Sequence, residues 1–192
     1  MDDRHASHVA LVGLMASGKT TIGRRVAKRL GRTFVDADEL LEQRAGRSVR
    51  DIFANDGEAA FRRLESELLG ELLNAAEPQV IATGGGVVVA PVNRQRLKRA
   101  GAFVVWLYAD ASFLASRAEG KASRPLLDDD PAGTLARLAA EREPWYREVA
   151  DVTIDIRPAF RERDKPKAHL ADVIAELVRD REQAAADPRA AV

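Results

Sequence analysis

Residues 13–20 read G-L-M-A-S-G-K-T, a complete G-x-x-x-x-G-K-[ST] pattern. Each fixed position has a chemical task. The backbone N–H groups of such a loop curl around phosphate oxygens, and the N-terminus of the following helix adds its positive dipole end. Lys19 can reach the β- and γ-phosphates, and the Thr20 hydroxyl can ligate Mg²⁺. The apolar run Val9 to Val12 precedes the loop and a helix-patterned segment follows it. A chance match somewhere in the chain has odds of about one in a hundred at average glycine usage, and that context lowers them further. The pattern implies a bound nucleoside triphosphate rather than a glycine-rich turn with an ordinary surface lysine.

Other residue sets could serve the same chemistry. Asp36 and Asp38 form D-A-D at the end of an apolar run. If the chain is still extended there, the two side chains share a face. One carboxylate near Mg²⁺ and another near an accepting hydroxyl is what phosphoryl transfer asks for. The plainer alternative makes Asp38 the N-cap of a helix over residues 39–45. Thr83-Gly84-Gly85-Gly86 follows another apolar run. Three consecutive glycines allow close backbone approach to a ligand or a positive φ, and a tight turn would use them equally well. Arg62, Arg117, Arg124 and Arg147 are the remaining signal. Arg62 lies one residue off the apolar stripe of its helix, where Glu65 can hold it, whereas Arg63 and Glu67 read as a surface pair. His5, His8 and His169 show no ligand spacing.

These residues need elements to position them. Short apolar runs alternate with helix-patterned stretches, the signature of a parallel sheet covered by helices. The strand candidates are residues 9–12, 33–35, 80–82, 103–108 and 152–156. Helices are expected over about 19–30, 58–73, from Pro91 to near Gly101, 134–149 and 166–182. In an open parallel sheet, ligands collect beyond the carboxyl ends of the strands, so the phosphate loop, D-A-D and the glycine run should meet at one edge. Residues 119–131 and 157–167 break the alternation as polar, Pro-punctuated or charge-dense loops, which at that length usually have a role.

Composition narrows the function. Thirty basic and thirty acidic residues cancel, so the electrostatic footprint of a nucleic-acid binder is missing and any positive field must be local. No apolar run approaches the roughly 18 residues of a membrane span. The start, with Asp2, Asp3 and Arg4, does not read as a secretory signal. The absence of cysteine excludes thiolate metal sites and fits a reducing, cytoplasmic location.

In order along the chain stand G-L-M-x-x-G-K-T-T-I-G, D-A-D, D-x-F-x-x-D-G-E-x-x-F-R-R-x-E, A-T-G-G-G, S-R-P-L-L and W-Y-R-E-V-A. This series resembles the shikimate kinase family, over about Val9 to Ile156. The resemblance implies a three-layer α/β P-loop sandwich of the nucleoside-monophosphate-kinase type. Its five-stranded parallel sheet would carry a lid near 119–131 and a small substrate-binding lobe near 38–65, within one domain over 9–182. Residues 1–8 and 183–192 would be extensions. The implied activity is transfer of the ATP γ-phosphoryl group to the 3-hydroxyl of shikimate, giving shikimate 3-phosphate and ADP for chorismate and aromatic amino-acid synthesis. It implies a monomer with no nucleic-acid or membrane partner.

By the same resemblance, Gly13, Leu14, Met15, Ala16, Ser17, Gly18, Lys19, Thr20 and Thr21 hold ATP, with Arg117 against adenine. Thr20 and Asp36 serve Mg²⁺. Lys19, Asp38 and lid residue Arg124 are catalytic, Arg124 also touching ATP. Asp38, Arg62, Gly84, Gly85, Gly86 and Arg147 hold shikimate. Three features depart from the family. Ala16 stands where another glycine is common, residues 157–167 exceed the usual adenine loop, and either Pro158 or Pro166 could meet the base. A gluconate-type or nucleotide kinase would share the fold but follow its second strand differently. A binding module without activity would be expected to have lost Lys19, Asp38 or Arg124, all three of which are kept.

Overall fold

A computed structural model describes residues 7–118 and 130–186. Among them, five strands alternate with eight helices in the order β1 (Val9–Val12), α1 (Lys19–Leu30), β2 (Thr33–Asp36), α2 (Ala37–Ala45), α3 (Val49–Leu73), β3 (Gln79–Ala82), α4 (Pro91–Arg99), β4 (Phe103–Tyr108), α5 (Ala111–Ala118), α6 (Pro131–Val149), β5 (Val152–Asp155), α7 (Arg157–Glu162) and α8 (Pro166–Ala186). All neighbouring strands run parallel, in the order β2-β3-β1-β4-β5. β1, in the middle, is buried at every residue, as a strand covered by helices on both faces must be. The edge strands β2 and β5 are partly exposed. No helix among the described residues is long and apolar enough to cross a membrane.

The strand calls hold to within a residue or two. The helical calls miss more, for local reasons. The helix expected from residue 58 is the second part of α3; the part before it, from Val49, was not expected, and it starts where Ser48 and Asp51 form a reciprocal capping box. α3 is kinked at Gly57, whose φ of 81° and ψ of 168° are not helical. Residues 49–56 are therefore a separate short arm leading into the long part of α3. α5 was not anticipated and α7 falls in the stretch expected to be a loop, both being too short for a periodic signal. α8 runs past Glu182 to Ala186, so the tail does not begin at 183. At the other end, His8 belongs to the sheet's base: Phe103 N–H donates to its carbonyl at 2.6 Å and Gln79 N–H to its ring at 3.2 Å.

The phosphate loop is held by what lies under α1. A Cβ on Gly23 would stand 2.6 Å from the Phe34 ring and 3.0 Å from Leu11, so α1 presses directly onto β1 and β2. That contact fixes where the helix N-terminus points. Gly23→Val should therefore destabilise the fold by ~1–3 kcal/mol through overpacking. The check is a lower urea midpoint with an unchanged slope, accompanied by weaker nucleotide binding.

Candidate active site

Parallel strands deliver their carboxyl ends to one edge, where a cavity of about 920 Å³ opens. The phosphate loop follows β1. Gly13 (φ 139°) and Gly18 (φ 95°) adopt backbone that L-residues avoid, and a Cβ on Gly13 would lie 2.6 Å from the Leu107 carbonyl. These are the two glycines the pattern requires. Ala16 also has a positive φ, 66°, which explains why glycine suits that position and shows that alanine is tolerated under strain. Lys19 Nζ reaches back to the carbonyls of Gly13 (2.8 Å) and Leu14 (3.0 Å). Thr20, in the first turn of α1, donates its hydroxyl to Asp36 Oδ2 at 2.7 Å. Met15, Ala16, Gly18 and Thr21 line the cavity; Leu14 and Ser17 are buried behind it.

Asp36 and Asp38 both line the cavity, though not by sharing a strand face. The strand ends at Asp36 and Asp38 already lies in the first turn of α2. The helix cap is also Asp36 rather than Asp38: Asp36 Oδ1 accepts from the N–H groups of Asp38 (3.1 Å) and Glu39 (3.3 Å). Asp38 is thereby free of the capping role. Burial raises its pKa above the usual 3.8 and the charge of Asp36 adds to the rise, while Lys19 and Arg62 pull the other way.

The glycine run enters a turn after β3, with Val87 N–H donating to the Gly84 carbonyl at 3.2 Å and Val89 N–H to the Gly86 carbonyl at 2.9 Å, but none of the three has a positive φ, so what calls for glycine there is close approach. A Cβ on Gly84 would sit 2.6 Å from Glu65 Oε1 and 2.8 Å from Asp38 Oδ1, one on Gly86 would strike the Arg62 guanidinium, and one on Gly85 would touch the backbone of Met15. The glycines leave room for two carboxylates, an arginine and the neighbouring loop. Arg62 Nη1 donates to Glu65 Oε2 at 2.8 Å, and its Nε and Nη2 donate to Glu58 at 3.2 and 3.1 Å. Phe53 and Phe61 flank the guanidinium. Glu65 is 5% exposed, and burial raises its pKa against the opposing pull of Arg62. Arg63 and Glu67 form the exposed pair expected of them.

Arg147 requires a correction. It is exposed, lies over the Trp106 ring and is not among the residues lining the cavity. The arginine of α6 on the cavity wall is Arg142, 7% exposed, whose Nη1 donates to the Gly85 carbonyl at 3.1 Å. Tyr146, one turn on, donates its hydroxyl to the same carbonyl. The reason is helical phase. Leu135, Leu138, Ala139, Arg142, Tyr146 and Val149 make the buried stripe, and Arg147 is off it. The stripe was visible in sequence at Leu135, Leu138 and Ala139, and extending it by one turn finds Arg142.

Arg117, at the end of α5, lines the cavity and donates its Nε to the Ala16 carbonyl at 3.1 Å. Lys167, unassigned from sequence, lines it too. Arg124 and residues 119–129 of the expected lid lie outside the described residues. Asp130 and Pro131 are the cap and first turn of α6.

A metal has few protein ligands here. No group of three or more acidic or histidine side chains among the described residues could hold one. The Thr20 hydroxyl and the Asp36 carboxylate are two hard oxygens already in contact. That sparse donor set fits Mg²⁺, which keeps waters and takes phosphate oxygens rather than an all-protein cage.

Known proteins can now be set beside this geometry. The family profile described as "Shikimate kinase" matches residues 15–178. The chain belongs to the shikimate kinase family. A shikimate kinase of Symbiobacterium thermophilum is 48% identical over 89% of this chain and 94% of its own. One of Paracidovorax citrulli is 46% identical over 87% and 89%. Among solved structures, a shikimate kinase of Acinetobacter baumannii in complex with shikimate superposes with a TM-score of 0.83 at 36% identity, covering 93% of this chain and 96% of that one. A gluconokinase of Sinorhizobium meliloti, at a TM-score of 0.53 and 17% identity, shares the fold alone. The chain is thus a P-loop kinase of the shikimate kinase type, and ATP is its nucleotide.

One consequence concerns this kinase's own departure from its family. An alanine in left-handed backbone costs roughly 1–2 kcal/mol, and glycine returns about 0.4–1 kcal/mol of that through unfolded-state entropy. Ala16→Gly should therefore stabilise the kinase by about 0.5–1 kcal/mol with turnover kept. Thermal unfolding checks it. A fall in midpoint would show that the buried Ala16 methyl matters more than its φ.

Proposed function

We propose that the kinase moves the ATP γ-phosphoryl group directly, in line, onto the 3-hydroxyl of shikimate, with no phosphorylated side chain on the way. The observation that carries this reading is one cavity in which a phosphate loop and an arginine-lined half face each other across Asp38. The loop from Gly13 to Thr20 holds the triphosphate, with Lys19 turning from its own carbonyls to the phosphates. Thr20 and Asp36 hold Mg²⁺, which when bound neutralises phosphate charge. Asp38 accepts a hydrogen bond from the attacking hydroxyl and orients it. Its raised pKa also makes it a better proton acceptor than an ordinary aspartate, although a loose transition state asks little of a base.

Arg62 and Arg142 clamp the substrate carboxylate, each offering a planar fork of donors. Arg142 replaces Arg147 in this role because it alone of the two is on the cavity wall. Arg142 Nε has no partner among the described residues, so it retains a donor for an anion. Glu65 fixes the Arg62 guanidinium, and Gly84 to Gly86 let the substrate ring approach the backbone. Residues 38–65 act as the substrate-binding lobe and 119–131 as the lid, with Arg124 closing over the phosphates. We read the kinase as a monomer in a cytoplasmic setting, the latter supported by the lack of cysteine.

The direct test is a coupled assay with ATP, Mg²⁺ and shikimate, gluconate or quinate. Turnover is expected with shikimate alone, and equal rates with another acid would sink the acceptor assignment. Within that assay, Arg142→Ala should weaken shikimate binding about tenfold to a hundredfold, the worth of one charge-assisted hydrogen bond, leaving ATP affinity unchanged. Arg147→Ala should stay within about twofold of wild type, since an exposed side chain has little to lose. Titration calorimetry with each ligand separates the two, and the reverse ranking would restore Arg147.

Asp38 makes a pH prediction. Its carboxyl is protonated at higher pH than an ordinary aspartate, so kcat/KM should fall on acidification through a midpoint above 3.8. Asp38→Asn should cut kcat sharply and remove that limb with ATP affinity kept. If the variant retained the limb, another group would be titrating.

A further inference from the structure

The strand order β2-β3-β1-β4-β5 also sets the order of subsites along the cavity. Asp38 and the glycine run follow β2 and β3, which puts the acceptor at that side. The phosphate loop follows β1 in the middle. What remains for the nucleotide base is the side of β4 and β5, where α5 supplies Arg117, and Lys167 at the start of α8 lines the wall. Resting on the nucleotide reading above, this places the base against Arg117. The stretch 157–167 lies on this side.

That stretch is not a solvated loop. Its first part is α7, and α7 is anchored at both sheet strands it leaves. Arg157 donates its Nη1 to Asp110 beyond β4 at 2.5 Å and its Nη2 to Asp155 of β5 at 2.6 Å. Asp110 also accepts from the Ser112 hydroxyl and the Phe113 N–H, which with Arg157 hold its pKa down to about 2, so this anchor stays charged at any working pH. Ala159 is buried beneath the helix. Anchored in this way, α7 presents Phe160 to Arg117: the guanidinium carbon lies 4.0 Å from the centre of the Phe160 ring. Phe113 meets Phe160 edge-on at 6.0 Å between centroids and lies 5.6 Å from the same guanidinium. Arg117 is therefore fixed in two ways, by its Nε bond to the Ala16 carbonyl and by an aromatic ring against its guanidinium.

We propose that Phe160 is a positioning residue for the nucleotide base: α7 presents its ring to hold the Arg117 guanidinium flat against the base end of the cavity, and it thereby sets affinity for the adenine part of ATP. A guanidinium on a long flexible stem loses several rotors on meeting a base. Stacking it beforehand removes most of that cost. The ring touches Arg117 rather than the phosphates, so its effect should be confined to ligands that carry a base.

The test uses the full chain with Phe160→Ala, Phe160→Leu and Phe160→Tyr, each first shown by circular dichroism to be folded at the assay temperature. The KM for ATP, the KM for shikimate, kcat, and the inhibition constant of inorganic tripolyphosphate, which has no base, are measured for each. Phe160→Ala and Phe160→Leu should both raise the KM for ATP about threefold to twentyfold, the range of one cation–π contact. kcat, the shikimate KM and tripolyphosphate inhibition should stay within about twofold, small against that range. Phe160→Tyr, which keeps the ring face, should restore the ATP value. Leucine keeps apolar bulk without a π face, so wild-type ATP affinity in Phe160→Leu would overturn the proposal. So would equal weakening of ATP and tripolyphosphate, which is what a general loosening of the fold produces. If the wild-type kinase bound neither ATP nor tripolyphosphate, the nucleotide reading itself would fall and this inference with it.

Discussion

Asp36 holds two parts of the kinase at once. One oxygen caps α2 by accepting from Asp38 and Glu39 N–H groups, and the other takes the Thr20 hydroxyl from the first turn of α1. The phosphate loop and the arm that carries the acceptor residues are thus tied through a single carboxylate. An N-cap alone is worth about 0.5–2 kcal/mol. Here the same contact also fixes where α2 starts, and therefore where Asp38 points. Moving the cap by one or two residues would turn Asp38 away from Gly84 and leave the cavity without its central carboxylate.

The glycines serve the same closeness on the other strand. Gly84, Gly85 and Gly86 bring β3's exit against Asp38, Glu65, Arg62 and the backbone of the phosphate loop. A Cβ on Gly84 or Gly86 would collide with one of these charged side chains, and one on Gly85 would touch the phosphate loop's backbone. This is why a neutral chain can still hold an anion: its positive field is concentrated in Arg62, Arg142 and Lys19 around one cavity, with Glu65 and Asp38 keeping the arginines oriented rather than collapsed onto the surface.

Legibility in the sequence follows signal length. The phosphate loop, the strands and the glycine run are short strings with strong local causes, and they fall where the pattern put them. The kink at Gly57 was hidden because glycine in D-G-E reads equally well as a helix start. α7 was hidden because six residues cannot show a helical period. The D-A-D pair lies at the cavity, but the condition of an extended chain is not met, because a cap at Asp36 takes over after one residue. Arg147 shows how a motif string misleads: W-Y-R-E drew the eye to its own arginine, whereas the buried stripe through Leu135 and Leu138 lands on Arg142 one turn earlier. Periodicity reports which face is buried, and a string does not.

The buried stripe also explains why an arginine can be kept in so apolar a position. Arg142 lies among Leu138, Ala139 and Tyr146: it bonds the Gly85 carbonyl, interacts with Tyr146 and Glu65, and keeps an Nε with no partner among the described residues. Glu65 Oε1 is also without a partner among the described residues. A buried polar atom without a partner costs roughly 1–3 kcal/mol, so a fold selected for stability alone would replace either residue with an apolar one. Both atoms belong to residues on the cavity wall, where a small hydroxy acid could supply an acceptor for Arg142 and a hydroxyl donor for Glu65.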